Sequence, residues 1–300
     1  MTLVSVCIAS FNQEEFISDC LVSVLTQKTN FEFEIIIGDD ASTDKSQHII
    51  RRTCKNKKNC KFVLREKNLG CPFNGLDILA KANSKYIAII DGDDYWTDPY
   101  KLQKQVDYLE QNSDCSFCFT DCQVKRKNNL QEIHPNLIKK AKFDGIDFAD
   151  QKGSLAQTCT WLVKRDLLQN LPTWVTESYT GDWCMQVHFS TYGKGGYIPE
   201  NTAVYRIHDG GMWSKLDEFN AWRKNLEFYR TVITQFSKKE EKKRIRMRLK
   251  SLIFDSLEFA NVQANKKEIR YWLSLKLKKF SFFSILQTLH SLKLLALLND

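Results

Sequence analysis

The sequence predicts an α/β fold: an open, mostly parallel sheet flanked by helices and followed by a helical C-terminal extension. Three observations predict it. Short apolar runs rich in β-formers alternate with amphipathic helical stretches as far as Ile207, the pattern of a parallel sheet with right-handed crossovers. Two of those runs end in acidic clusters, where ligands bind in such sheets. From about Leu216 onward the periodicity is helical throughout.

The elements follow in order. Leu3 to Ala9 is apolar almost throughout, as a strand buried on both faces should be. Glu14 to Gln27 places Phe16, Cys20, Leu21, Val24 and Leu25 on one helical face. Phe33 to Ile37 is the second strand, closed by Gly38-Asp39-Asp40, with Ser42 as expected cap of a helix from about Thr43 to Arg52. A third strand, Lys61 to Leu64, and a third helix, Asn74 to Ala82, precede the strand Tyr86 to Ile90. That strand runs into Asp91-Gly92-Asp93-Asp94, and Asp98-Pro99 reads as the start of the next helix. Residues 125–152 are polar and read as an irregular excursion. Thr158 to Val163 and Tyr197 to Ile207 read as strands, and Asp182 to Tyr192 as a helix. The extension repeats apolar positions at Trp222, Leu226, Tyr229, Ile233 and Phe236, then at Ile245, Leu249, Leu252, Ser256 and Phe259. These patterns divide the chain into residues 1–215 and 216–300.

Charge divides in the same place. Residues 1–215 hold 26 Lys and Arg against 27 Asp and Glu, whereas residues 216–300 hold 18 against 9. The net charge of +8 is therefore the property of the extension. The first residues carry no charged-then-apolar leader, and no apolar run is long enough for a membrane span. The expected location is cytoplasmic, with the ten cysteines reduced. Cys115, Cys118 and Cys122 invite a zinc reading. On a strand, though, Cys118 and Cys122 share a face and Cys115 takes the other, a poor geometry for chelation.

Three carboxylates within the four residues Asp91 to Asp94 repel one another unless a cation intervenes. Hard divalent ions, Mn2+ or Mg2+, suit such oxygen ligands and keep positions open for phosphate oxygens. A diphosphate so bound is stabilised as a leaving group. Asp40, at an earlier strand end, suits an N–H of a pyrimidine base, and Phe11 a stack on that base. Taken singly, each has a structural alternative: an acidic turn, turn residues, a core aromatic.

In combination the motifs are more specific. Val4-Ser-Val-Cys-Ile-Ala-Ser-Phe-Asn12, Gly38-Asp-Asp-Ala-Ser-Thr-Asp44, Asn68-Leu-Gly70 and Asp91-Gly-Asp-Asp94 stand in an order and spacing that resemble the GT-A family 2 glycosyltransferases of bacterial surface-polysaccharide synthesis. The resemblance covers about residues 3–210. It implies a GT-A fold and inverting transfer of a sugar from a nucleoside diphosphate, UDP above all, to a hydroxyl of a lipid-linked or lipopolysaccharide or capsule glycan. It implies Asp40 on the base, Asp91 on the ribose, and Asp93 and Asp94 on the metal, with Phe11 placed to stack on the same base. Thr180-Gly181-Asp182-Trp183 matches the family's catalytic base at Asp182. Arg206-Ile-His208-Asp-Gly-Gly-Met-Trp-Ser214 resembles the loop after the last catalytic strand, with Arg206 on the diphosphate and His208 on the metal. One departure is Cys71-Pro-Phe-Asn-Gly-Leu76, where the family often carries a basic residue near the donor sugar.

The basic runs Lys238 to Lys250 and Arg270 to Phe280 are interleaved with aromatics. That suits an anionic membrane surface, with a solvated bundle face as the alternative. No nucleic-acid motif accompanies them. The rival functions are a sugar-1-phosphate nucleotidyltransferase and a non-catalytic nucleotide-sugar-binding protein. The first would carry a glycine-rich basic loop where this chain has Ser10-Phe-Asn-Gln-Glu-Glu15. The acidic set speaks against the second.

Overall fold

The computed structural model describes residues 2–127, 129–132, 140–262, 267–268 and 271–272. The chain divides into one unit of Met1–Phe148 with Gly153–Gly211 and another of Ala149–Lys152 with Met212–Asp300. In chain order the elements begin β1 (Val4–Ser10), α1 (Ile17–Leu25), β2 (Phe33–Asp39), α2 (Ser46–Thr53), β3 (Cys60–Leu64), α3 (Phe73–Ala80), β4 (Tyr86–Asp91) and β5 (Tyr95–Trp96). Then come α4 (Lys101–Gln111), β6 (Cys115–Arg126), β7 (Asn129–Glu132), β8 (Lys142–Phe143), α5 (Gly145–Ala149), β9 (Trp161–Lys164), α6 (Thr173–Thr176), α7 (Gly181–Phe189) and β10 (Lys194–Ile207). The second unit holds α8 (Glu218–Val232) and α9 (Lys239–Val262).

One sheet runs β3-β2-β1-β4-β9-β6-β10-β5, with β7 on β6 and β8 on β10. The β1, β2, β3 and β4 ladders are parallel, as is β6 with β10. Strand β9 joins the two parallel sets by pairing antiparallel to both β4 and β6. The register does the functional work: Ser10 lies opposite Asp39, and Ala9 opposite Asp91. Phe11, Asp40 and the Asp91–Asp94 turn therefore emerge side by side from three adjacent strands. Val4, Val6, Ile8, Ile35, Ile37, Ala88 and Ile90 are buried in one core cluster with Ile17, Leu21 and Val24 of α1. Their apolar runs are this long because both sheet faces are covered.

Several expectations need correction. Ser42 does not cap α2, which starts at Ser46 without a side-chain cap. Its hydroxyl donates to Asp39 Oδ2 at 2.6 Å and accepts from the Asn12 N–H at 2.8 Å. The helix α4 is regular only from Lys101, two residues beyond Pro99, although Asp98 Oδ1 does accept the Tyr100 N–H at 2.8 Å, the bond expected of a cap. Thr158–Thr160 form a 3₁₀ turn ahead of β9, not strand. Within residues 125–152, β6 runs on into a hairpin with β7, and β8 and α5 follow.

The cysteine faces also differ. The β6–β10 register slips between Cys115 and Phe117. A bulge of one residue moves every preceding side chain to the other face. Cys115 thus joins Cys118 and Cys122 in the core cluster that contains Leu102, Val106 and Leu109 of α4. Phe117 and Phe119 face Phe148 on the other side. All ten cysteines are free thiols.

Candidate active site

Two loops form the mouth above β1 and β2, and side chains stitch them together. Asn12 Oδ1 accepts the Thr43 N–H at 2.8 Å, Ser46 Oγ accepts the Gln13 N–H at 2.8 Å, and Asp44 Oδ2 accepts the Glu14 N–H at 2.9 Å. Both loops turn through left-handed backbone, at Asn12 (φ 51°) and Ala41 (φ 62°). An Asn takes that conformation readily and an Ala does so at a cost, as befits a loop fixed by its surroundings. At the tip Phe11 is 47% exposed.

Asp40 sits beneath it and is buried. Its two oxygens accept the Leu69 and Gly70 N–H groups, each at 2.8 Å, while Asn68 Nδ2 donates to the Asp40 carbonyl at 2.9 Å. The two motifs that look separate in the sequence are thus one lock, with Gly70 at φ +81° to close it. A carboxylate oxygen has a second lone pair, so the lock leaves Asp40 capacity to accept from a ligand.

The acidic turn after β4 is packed as tightly. A Cβ on Gly92 would stand 2.3 Å from Gln13 Oε1 and 2.8 Å from Ile17 Cδ1, so only glycine lets the turn approach α1. Asp93 Oδ2 meets His208 Nε2 at 3.0 Å. Asp94 is 1% exposed and turns the other way. Its Oδ1 accepts the Arg206 N–H at 2.8 Å, and its Oδ2 is buried with no hydrogen-bond partner among the described residues. Burial pushes the Asp94 carboxyl well above the usual range, with Cys159 and then Asp93 adding to it. Burial raises Asp91 to about 7, reinforced by Asp93 and Asp182.

Asp182 occupies the first turn of α7. Burial raises its carboxyl, against the pull of the Trp183 and Asp182 backbone N–H groups. Asp91, Asp93 and Asp182 therefore share one field although the last lies some ninety residues along the chain.

Arg206 is the sequence-expected residue that finds itself otherwise engaged. Its guanidinium ion-pairs with Asp19, donates through Nη1 to the Asp93 carbonyl at 2.9 Å, and lies 4.4 Å from the Tyr95 ring centroid and 5.2 Å from that of Phe16. These contacts enclose it and make it a clamp on the acidic turn. The His208 ring in turn packs on Phe16 at 4.7 Å.

A divalent ion fits part of this arrangement. Two neighbouring ligands of an octahedral ion at about 2.1 Å stand about 3.0 Å apart, the spacing of Asp93 Oδ2 and His208 Nε2. Asp94, expected as a further ligand, turns one oxygen to the Arg206 N–H and buries the other. Among the described residues no group of three His, Cys, Asp or Glu side chains is placed to hold a metal. A carboxylate completed by phosphate oxygens is ordinary coordination for Mg2+, whereas an imidazole is a ligand more usual for transition metals.

Sequence reasoning passed over four residues here. Asp19 and Tyr95 hold Arg206. The Tyr205 hydroxyl is raised by burial and by Asp94, Asp91, Asp93 and Asp182. The exposed Cys71 is raised to about 11, by burial first and then by Asp91, Asp182 and Asp40, which puts its thiol in the same mouth. Strand alternation puts Tyr205 on the opposite face from Arg206, so no spacing marks it, and none marks Asp19.

Comparison with known proteins bears on the family and the fold. TuaG of Bacillus subtilis (strain 168), a glycosyltransferase assigned by name to teichuronic acid biosynthesis, is 36% identical over 269 residues, covering 81% of this chain and 98% of TuaG. An uncharacterized Mycobacterium tuberculosis (strain ATCC 25618 / H37Rv) protein, Rv1520, is 32% identical over 71% of this chain, which spans only 60% of that relative's length. Among solved structures, S. aureus TarS residues 1–349 aligns with a TM-score of 0.68 at 16% identity, over 91% of this chain and 78% of that one. The mannosyltransferase PcManGT from Pyrobaculum calidifontis, solved with GDP-Man and Mn2+, aligns with a TM-score of 0.63 at 18% identity, over 97% and 80%. At such identities these structures establish the fold, an α/β sheet flanked by helices. The family model for glycosyl transferase family 2 matches residues 5–171, more than half of the chain, and this protein belongs to that family.

Proposed function

We propose that this chain transfers a sugar from a UDP-sugar to a hydroxyl of a surface-glycan acceptor, with inversion at the anomeric carbon. The observation that carries the reading is the shared field of Asp91 and Asp93, at the carboxyl end of β4, and Asp182, in the first turn of α7. Catalysis is assigned to residues 1–215, and residues 216–300 form the extension. Phe11 offers a face to the base, Asp40 an acceptor to its N–H, and Asp91 an acceptor to the ribose hydroxyls. Asp93 and His208 would hold Mn2+ or Mg2+, which supplies neutralising charge for a diphosphate leaving group. Arg206 and Asp94 position that pair. Asp182 takes the proton from the attacking acceptor hydroxyl. A glycolipid acceptor is supported by relatives such as the E. coli glucosyltransferase WfaP, whose name gives UDP-Glc as donor and GlcNAc-diphosphoundecaprenol as acceptor. It is 34% identical over 37% of this chain. Family membership displaces the nucleotidyltransferase alternative.

A thermal-shift screen of UDP-, GDP- and dTDP-sugars with Mn2+ tests the donor class, since bound ligand raises apparent stability. Stabilisation by a GDP-sugar and not by UDP-sugars would reject uracil. Phe11→Ala is expected to weaken UDP binding by about 1–3 kcal/mol, the worth of one base–aromatic stack. Its melting temperature should stay put, because the ring is solvent-facing. Asp40→Ala should weaken UDP binding and also lower stability, since it strips the Leu69 and Gly70 N–H groups of their acceptor. Unchanged calorimetric affinity in Phe11→Ala would remove the stacking role.

A peripheral position on an anionic membrane is the finer reading of location. Among the described residues no helix is long and apolar enough to cross a membrane. Most of the basic-aromatic run Arg270 to Phe280 lies outside the described residues. On α9, Lys239, Lys243, Arg246 and Met247 are exposed, whereas Arg244 and Arg248 pair with Asp150. Each exposed cation contributes about 1 kcal/mol near anionic lipid. The full chain should therefore co-sediment with phosphatidylglycerol-rich vesicles at low salt and partly release at high salt. Failure to sediment at low salt ends the membrane reading.

A further inference from the structure

Between α8 and α9 lies a cavity of about 320 Å³ that contains none of the residues assigned above to donor or acceptor chemistry. It is at the small end of the roughly 300–1,000 Å³ typical of ligand pockets. Its walls follow from helical spacing. Glu218, Trp222 and Asn225 lie at i, i+4 and i+7 of α8, and Arg248 and Asp255 at i and i+7 of α9, with Lys152 at the rim. The sequence pattern groups Trp222 with the core positions Leu226 and Tyr229. Those two are buried, but Trp222 is only half-buried and faces the cavity.

The cavity's chemistry selects among ligands. Both cations already have partners. Lys152 Nζ is 3.2 Å from Asp255 Oδ2, and Arg248 donates through Nε and Nη2 to the Asp150 carbonyl at 3.2 and 3.1 Å. The exposed Glu218 adds a negative charge, so no cation is left over for a phosphate or an acidic sugar. Trp222 and Asn225 make no side-chain hydrogen bond among the described residues. What faces the space is an open indole with an unpaired N–H, an amide with donor and acceptor, and carboxylates that accept. An apolar flat face rimmed by both kinds of hydrogen-bonding group suits a pyranose ring. Its C–H face stacks on indole and its hydroxyls donate and accept around the edge. Glu218, Asn225, Arg248 and Asp255 in the lining disfavour an acyl chain.

We propose that this cavity binds one neutral hexose or N-acetylhexosamine residue of a glycan chain, a second carbohydrate site distinct from the donor-binding residues. It rests on the glycosyltransferase reading only for the source of that sugar, the acceptor or product chain. A subsite of this kind holds a chain between additions and raises its effective concentration at the transfer site.

The test is saturation-transfer difference NMR on the full chain with cellotriose and with N,N′-diacetylchitobiose, at saturating UDP and Mn2+. Signals from at least one sugar are expected to persist under UDP. They should fall at least tenfold in Trp222→Ala and in Asn225→Leu, each checked for an unchanged circular-dichroism melt. Two variants on one wall guard against a single misfolded one. UDP-sugar hydrolysis should stay within twofold of wild type in both. The proposal is overturned by no signal with either sugar, by signals that UDP abolishes, or by signals untouched in both folded variants. Loss of hydrolysis in the unaltered chain would count against the donor reading and leave this site standing.

Discussion

Asp182→Asn is expected to lower kcat by about 10²–10⁴-fold, the usual worth of a positioned general base, while UDP affinity stays within a few-fold. The amide keeps the shape and the N-terminal position on α7 and loses only the capacity to take a proton. The pH dependence has a definite sign. Burial raises the Asp182 carboxyl, so the base is lost to protonation at a higher pH than an ordinary aspartate would be. The acid limb of kcat/KM should therefore stand above the normal carboxylate range and vanish in the variant's residual activity. The stability consequence runs the same way. A carboxyl whose folded pKa is raised favours the fold below its unfolded pKa, and that contribution is lost as pH rises through the folded value. The neutral Asn escapes the loss, and Asp182→Asn should melt no lower than the unaltered chain at pH 8. An unaltered kcat in Asp182→Asn would remove Asp182 from the mechanism.

Asp93→Ala and His208→Ala should each weaken Mn2+ binding at least tenfold and cut turnover by about 10²–10³-fold, the scale of losing one preorganised electrostatic contact. Asp94→Asn should behave differently. Its remaining oxygen still accepts the Arg206 N–H, so the turn keeps its shape and Mn2+ affinity stays within a few-fold. Calorimetric titration of Mn2+ in the presence of UDP separates the three. Equal losses in Asp93→Ala and Asp94→Asn would restore Asp94 as a direct ligand, and full turnover in EDTA would dismiss the metal altogether.

The parts of this molecule legible in the sequence are those governed by short-range pattern. Apolar runs located β1, β2 and β4, and parallel pairing then placed Phe11, Asp40 and Asp91 on one edge whatever the rest of the chain did. The motif set pointed to the family that the relatives establish. What the pattern hid was decided by partners far along the chain. Ser42 reads as a cap until Asp39 and the Asn12 N–H compete for its hydroxyl. Arg206 reads as a phosphate ligand, and no spacing shows that Asp19, 187 residues away, and the Tyr95 ring also hold its guanidinium. Asp94 looks interchangeable with Asp93, yet one faces His208 and the other the core. The slip at Cys115 in β6 has no periodic signature, because a bulge is a property of two strands together.

The place of β10 in the sheet has a consequence for how the protein is made. It lies between β6 and β5, so the turn that carries Asp93 and Asp94 has a neighbour on β5 only after β10 has arrived. The Arg206–Asp94 bond closes a span of 112 residues. Contacts of such separation form late, because the chain must close a long loop before it gains them. A nascent chain emerging from the ribosome can lay β1, β2 and β4 together early. Its acidic turn stays without its clamp until about two hundred residues have been synthesised and β10 has threaded between its partners. The ends of β1, β2 and β4 and the clamp on the acidic turn thus form at different moments of synthesis.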